Sequence, residues 1–273
     1  MPEQLRVLAI GAHPDDCDYS VGGLALKYVE AGAAVKLVSV SNGNAGHFAI
    51  GGGPLAKRRR EEARCSATIA GVEYELLDIS DTEIIPTLEN RWRIVRLIRE
   101  FRPDLVLTNR PNDYHPDHRY TSQLVADAAY TVTIPNVQAL TPHLRYNPVI
   151  AYWPDNFKRP YPFSPDIAVS IDDVVAKKMD MLFCHESQFF EWIPYNANEL
   201  EAVPEGAEAR RAWLAERRLT RAAHNADHFR ALLARFYGEE KASTIQYAEA
   251  LELCEYGGQV TEKGFPRLFP FYE

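Results

Sequence analysis

The sequence predicts an α/β protein built on a mostly parallel sheet with helices on both faces. Three observations carry that reading. Short apolar runs alternate with helical patterns over the first 130 residues or so, in the order β-α-β-α-β-α-β-α that builds such a sheet. The first run, Val7-Leu8-Ala9-Ile10, is continuously apolar, as a strand buried on both faces requires. The first and fourth runs break off in clusters of His and Asp, at the strand ends where open α/β sheets place their chemistry.

The first strand ends in Gly11-Ala12-His13-Pro14-Asp15-Asp16, and a helix is predicted over 22–31, stopping at Gly32. Val35, Leu37, Val38 and Val40 form the second strand of a right-handed βαβ unit. Gly11, Gly22 and Gly23 do not make a GxGxxG pattern, so a dinucleotide fingerprint is absent. Residues 41–56 are glycine-rich and carry no Asp, Glu, Lys or Arg. They read equally as a flexible connection and as a loop over the site, with Asn44 a candidate substrate contact. A helix is predicted over 57–70, with Arg59 and Glu62 on one face, by spacing alone a surface ion pair.

The third strand covers 73–78 and an amphipathic helix 87–101, after which Pro103 interrupts the chain. Leu105-Val106-Leu107 is the fourth strand, ending in a polar burst from Thr108 to His118. Pro116 falls in the first turn of the helix that follows, where its missing N–H costs nothing. With the common strand order 3-2-1-4, strands one and four are neighbours, and their two bursts face each other across one crevice.

Beyond residue 130 the pattern is weaker. Residues 143–166 are rich in aromatics and prolines, and read as core packing under a long loop rather than a wall for stacking sugars. A fifth strand is expected over 167–171, then a helix capped by Asp172 and running to about Cys184. Residues 195–206 read as a linker, and 207–237 as one long helical pattern. The tail Gly-Phe-Pro-Arg-Leu-Phe-Pro-Phe-Tyr-Glu is apolar enough to dock onto something, such as another subunit. The whole chain, 1–273, is expected to be one domain: a core over 1–130 carrying the site, and a pocket-building elaboration over 131–273.

A net charge of −8 argues against nucleic-acid and anionic-membrane partners. Lys57-Arg58-Arg59-Arg60 runs directly into Glu61-Glu62 and reads as a solvated helix face. No apolar stretch approaches the ~20 residues of a membrane span, and no secretory segment opens the chain. Cys17, Cys65, Cys184 and Cys254 lack CxxC spacing and read as free thiols, which together place the protein in the cytoplasm.

His13 and Asp16 lie three residues apart on a turn, and His118 arrives from the opposing strand end. Two imidazoles and one carboxylate that leave a coordination position open are the catalytic form of a zinc site. Zinc chemistry of that kind points to hydrolysis of an acyl bond. Asp15 is the candidate general base, and His115 the candidate acid or oxyanion stabiliser. Asp117 is positioned to hydrogen-bond a ring nitrogen of His115 and set its tautomer.

Ala12-His13-Pro14-Asp15-Asp16-Cys17-Asp18 with Gly22-Gly23, and His115-Pro116-Asp117-His118, resemble the two motifs of the PIG-L/LmbE-like N-acetylglucosamine deacetylases. Weaker similarities follow: Arg59 and Glu62 to an RxxE helix, His185 with Gln188 to an HxSQ element, and Tyr247-Ala248-Glu249-Ala250 to a C-terminal segment. The resemblance implies a Rossmann-like sheet, zinc on His13, Asp16 and His118, Asp15 as base, and His115 as acid or oxyanion stabiliser. It further implies that Arg59, with His185 a candidate beside it, helps to hold the substrate. The substrate would be an acetylated amino sugar, and the family often forms trimers or hexamers. Asp18 stands where the family has Glu. Three other readings stay open: an amidohydrolase acting on a non-sugar N-acyl compound, a non-catalytic sugar-binding protein, and a nucleotide-binding protein, the last disfavoured by the missing glycine pattern.

Overall fold

The computed structural model describes residues 4–272. Its first four strands are β1 (Arg6–Gly11), β2 (Ala34–Ser41), β3 (Glu73–Ile79) and β4 (Leu105–Thr108). Three more follow, β5 (Val149–Tyr152), β6 (Ile167–Ser170) and β7 (Ala248–Leu253), in one sheet of order β3-β2-β1-β4-β5-β7-β6. All pairings from β3 to β5 are parallel, and β7 runs antiparallel to both its neighbours. The predicted adjacency of β1 and β4 holds, with Ile10 beside Thr108. Alternate residues of β1 feed opposite layers. Val7 and Ala9 join one apolar cluster while Leu8 and Ile10 join the other, which is why the run is apolar throughout.

Helix α1 (Asp16–Glu30) begins six residues before the expected start, because the acidic turn is its first turn; Val21 leaves helical geometry partway along. That break frees the amide N–H groups of Gly23 and Leu24, which the buried Glu249 carboxylate accepts at 2.9 and 2.7 Å. The Lys178 ammonium completes the arrangement, donating to Glu249 at 2.6 Å. A Cβ at Gly23 would stand 2.7 Å from Ile171 Cγ2 and 2.9 Å from Glu249 Oε1, so the second glycine of the pair is needed for close approach. Gly23→Ala is expected to lower the unfolding free energy by about 1–3 kcal/mol, the usual cost of overpacking, measured by urea denaturation.

Helix α2 (Gly52–Ala70) starts five residues before the expected boundary, so the glycine run is helix rather than loop. Helices α3 (Leu88–Phe101) and α4 (Pro116–Ala128) match expectation, and the Thr87 hydroxyl caps α3 by accepting from the Asn90 amide. β5 was not foreseen: it lies inside the aromatic segment, whose following loop is tied down by the fully buried Arg110, bonded to Asp155 at 2.8 Å. Asp172 does not cap α5 (Val175–Phe183); its carboxylate accepts instead from the Gln246 and Tyr247 amides.

After α5, Ser187–Trp192 forms a π-helical turn leading into α6 (Ile193–Asn196). The expected long helix is three: α7 (Ala207–Arg218), α8 (Thr220–His228) and α9 (Arg230–Tyr237), bent around the β6–β7 edge. The tail docks on its own chain. Phe269 is buried, Leu268 accepts from the Tyr28 hydroxyl at 2.8 Å, and Tyr272 stacks on Phe236.

Cys65 and Cys184, expected as free thiols, are joined in a disulfide, with 5.8 Å between their Cα atoms. Cys17 and Cys254 remain free and buried. The bond pins α2 to the end of α5 across 119 residues, a pairing that spacing does not reveal. Half of the thiol argument for the cytoplasm is thereby removed. Among the described residues no helix is long and apolar enough to cross a membrane.

Candidate active site

The ends of β1 and β4 bring the two polar bursts together, as the strand order requires. His13 Nδ1 lies 3.1 Å from His118 Nε2 and 3.6 Å from Asp16 Oδ2, and His118 Nε2 lies 3.4 Å from Asp16 Oδ1. Ligands about 2.0–2.2 Å from a tetrahedral zinc stand roughly 3.3–3.6 Å apart, so these side chains, with a different Asp16 oxygen nearest each histidine, are spaced close to the edges of such a site. Asp16 is held in place by the Ala12 and His13 amides, which donate to its Oδ2 at 2.8 and 2.9 Å. Gly11 fits beneath it closely, since a Cβ there would meet Asp16 Cβ at 2.7 Å.

Each histidine is oriented through its other nitrogen. His13 Nε2 lies 3.1 Å from Asp81 and 3.6 Å from Asp117, while His118 Nδ1 lies 3.0 Å from Asp113. A carboxylate on the far nitrogen fixes the tautomer that leaves the near nitrogen free for a metal. Burial alone would disfavour charge on these rings, yet the surrounding carboxylates outweigh it. They raise His13 well above the ordinary imidazole value, and His118 to about 9. The Asp81 carboxyl, opposed by burial but bonded to His13, is held at about 2. The pocket thus has a strong preference for bound positive charge.

Two other sets of potential donors meet at His13, one with His115 and His118 and one with Asp81 and Asp117. The second uses Nε2, and all three of its residues are buried. In the first, His115 Nδ1 is occupied, accepting from the Asp117 amide at 3.2 Å. The triad of His13, Asp16 and His118 brings its donor atoms together where the cavity lining includes all three residues.

Asp117 corrects an expectation. Its carboxylate does not reach His115; it accepts from the Thr82 amide at 2.8 Å and faces His13, while only its backbone touches His115. Asp81 was missed altogether. The signal for it lies in the polar Ser80-Asp81-Thr82 at the end of β3, two strands from β1. Asp81→Asn is expected to weaken metal binding by about 10–100-fold, read by competition with a chromophoric chelator.

Asp15 lines the cavity beside Asp16, and its carboxylate is held by the Arg59 guanidinium, which is 2% exposed. Gly43, at φ 67°, allows Arg59 to pass: a Cβ there would meet Arg59 Cδ at 2.7 Å. Arg59 thus reaches the site through Asp15 as well as lining the cavity. Asn44 accepts from the Asp81 amide at 2.9 Å and steadies that loop rather than facing the cavity. His185 is fully buried beneath α1, 3.4 Å from Asp18, and is out of reach of a substrate. Asp18 accepts from the Ser66 hydroxyl and touches no member of the triad. Glu62 accepts from both the amide and the hydroxyl of Ser187, and Gln188 donates to the Gly46 carbonyl. The RxxE and HxSQ segments therefore clasp each other beside the 42–51 loop.

The cavity has two lobes that meet at Asp15, Asp16 and His118, of about 340 and 310 Å³. One contains His115, Gly46 and Trp192; the other runs past Tyr19 and Trp153 to Arg218 and Arg221.

A parallel sheet that gathers two imidazoles, a carboxylate and an adjacent candidate base at its strand ends defines an α/β enzyme with a hydrolytic, metal-type centre. The family is explicit in the sequence. Residues 8–129 match the PIG-L family, described as GlcNAc-PI de-N-acetylase, and the chain belongs to it. The chain is 35% identical over 207 residues to a diacetylchitobiose deacetylase of Thermococcus kodakarensis, covering 70% of this chain and 74% of that protein. It is 26% identical to a 4-oxalmesaconate hydratase of Pseudomonas putida, over 76% of this chain and 82% of that one. The N,N'-diacetylchitobiose deacetylase of Pyrococcus horikoshii superposes with a TM-score of 0.67 at 26% identity, covering 93% of this chain and 85% of that chain.

Proposed function

We propose that the protein is a zinc-dependent hydrolase that removes the N-acetyl group from a GlcNAc-containing small molecule. The observation that carries this reading is the separation of 3.1–3.6 Å among His13, Asp16 and His118 beside the cavity-facing Asp15. The deacetylases among its relatives support the substrate class.

A divalent ion held by that triad would supply Lewis acidity toward water and the acyl oxygen. Asp15 takes the proton of the attacking water, and Arg59 keeps its carboxylate aimed at the cavity. His115 accepts a backbone N–H at Nδ1, so the neutral ring carries its proton on Nε2. Burial, reinforced by the charges of His13 and His118, lowers its pKa and keeps the ring neutral, a donor suited to the developing oxyanion. A C–O bond forms, the C–N bond breaks, and Asp15 returns its proton to the departing amine, giving acetate and the free amino sugar.

The hydratase relative favours a second reading, addition of water to a carbon–carbon double bond by the same centre. Zinc-loaded protein offered N-acetylglucosaminides and simple N-acyl amines separates these readings. Stoichiometric acetate and primary amine from the glycosides support the proposal; no amine from any acetylated substrate rejects it.

A further inference from the structure

The lobe that leads away from the triad past Tyr19 and Trp153 carries an imbalance of charge. Its carboxylates all have basic partners: Asp15 has Arg59, Asp16 has the two histidines, Asp113 has His118 and Asp155 has Arg110. Arg218 and Arg221 line the same lobe, and among the described residues neither forms an ion pair. Arg218, the last residue of α7, lies over the Phe189 ring at 5.2 Å and beside the Tyr19 hydroxyl, and its buried Nε lacks a hydrogen-bond acceptor. Arg221, in α8, lies over Tyr19 at 4.8 Å and donates to the Pro154 carbonyl. Burial lowers the Arg218 pKa, outweighing the nearby Tyr19 and Asp15. Two guanidiniums that line one cavity wall, held by rings, the Tyr19 hydroxyl and a carbonyl but in no ion pair among the described residues, are poised for an anion that arrives with a ligand. Asn109, 1% exposed on the same wall, has an unpartnered Oδ1 ready for a hydroxyl or N–H donor.

We propose that Arg218 and Arg221 form a carboxylate receptor, so that the substrate is an N-acetylated amino sugar whose substituent bears a carboxylate. This rests on the deacetylase reading above. A monoanion fits better than a phosphate dianion, because Asp113 and Asp155 also face the lobe. The neutral sugar substituent of a chitobiose-type substrate would leave both guanidiniums uncompensated. The α7–α8 region that supplies them lies outside the matched family segment, which ends at residue 129.

The test is a matched set of N-acetylglucosaminides carrying glycolate, glycolamide or a phosphate ester, assayed with zinc-loaded protein at low salt. The expected result is a kcat/KM at least tenfold higher for glycolate than for glycolamide or the phosphate ester. That preference should fall toward unity in both Arg218→Gln and Arg221→Gln, and be partly kept in Arg218→Lys; thermal unfolding identifies any variant that fails to fold. Equal rates for glycolate and glycolamide, a preference for the phosphate ester, or a glycolate preference surviving both glutamine variants would overturn the proposal. If none of the three is deacetylated, the deacetylase reading fails, and calorimetric binding of the same compounds decides the receptor alone. Tenfold tighter glycolate binding that Arg218→Gln abolishes supports it, and equal binding rejects it.

Discussion

Asp15→Asn is expected to lower kcat for N-deacetylation by about 10²–10⁴-fold, the contribution of a positioned general base, while the metal content stays at the wild-type level. The two parts of that result belong together. Asp15 faces the cavity but is not among the three groups proposed to hold the metal, so losing its charge removes proton transfer and leaves the triad in place. The substitution also strips the buried Arg59 of its counter-charge, and removing one partner of a buried pair costs about 3–5 kcal/mol when nothing compensates. Folding is therefore followed alongside rate. A folded Asp15→Asn protein retaining activity within threefold of wild type would remove Asp15 from the mechanism.

The other large effect is expected at His118. Its Nε2 is the contribution of β4's strand end to the triad, and His115 Nδ1 beside it already accepts from a backbone amide. His118→Ala should leave His13 and Asp16 as two ligands, fewer than the three protein groups of catalytic zinc sites. Both metal retention and amine release should be lost. The fold should survive, because α4 is anchored by Leu124, Val125 and Ala128 in the apolar layer beneath.

The sequence made the triad legible because local and topological signals coincide there. His13 and Asp16 share one turn, and the strand order that the βαβ pattern implies delivers His118 opposite them. Asp81 escaped because its role depends on β3's loop curling back over β2 to reach His13, a tertiary relation with no local spacing to announce it. Asp117 was placed in the site but given the wrong partner: on the first turn of α4 its side chain points to Thr82 and His13, and its N–H to His115. The same limit explains the C-terminal half. Arg110 buried against Asp155, Glu249 bonded to a break in α1, and the Cys65–Cys184 bond are all contacts between distant segments. The helical period over 207–237 was correct, but its breaks at Leu219 and Phe229 follow from wrapping the sheet edge, where packing overrides propensity.

The central claim, that His13, Asp16 and His118 hold one catalytic ion, is tested most directly by metal titration of chelator-treated protein with parallel detection of free amine. The predicted result is one zinc per chain, with amine release rising in step with occupancy in the wild type and neither appearing in His13→Ala or His118→Ala. A His13→Ala or His118→Ala protein that retains its metal and full activity would contradict the account.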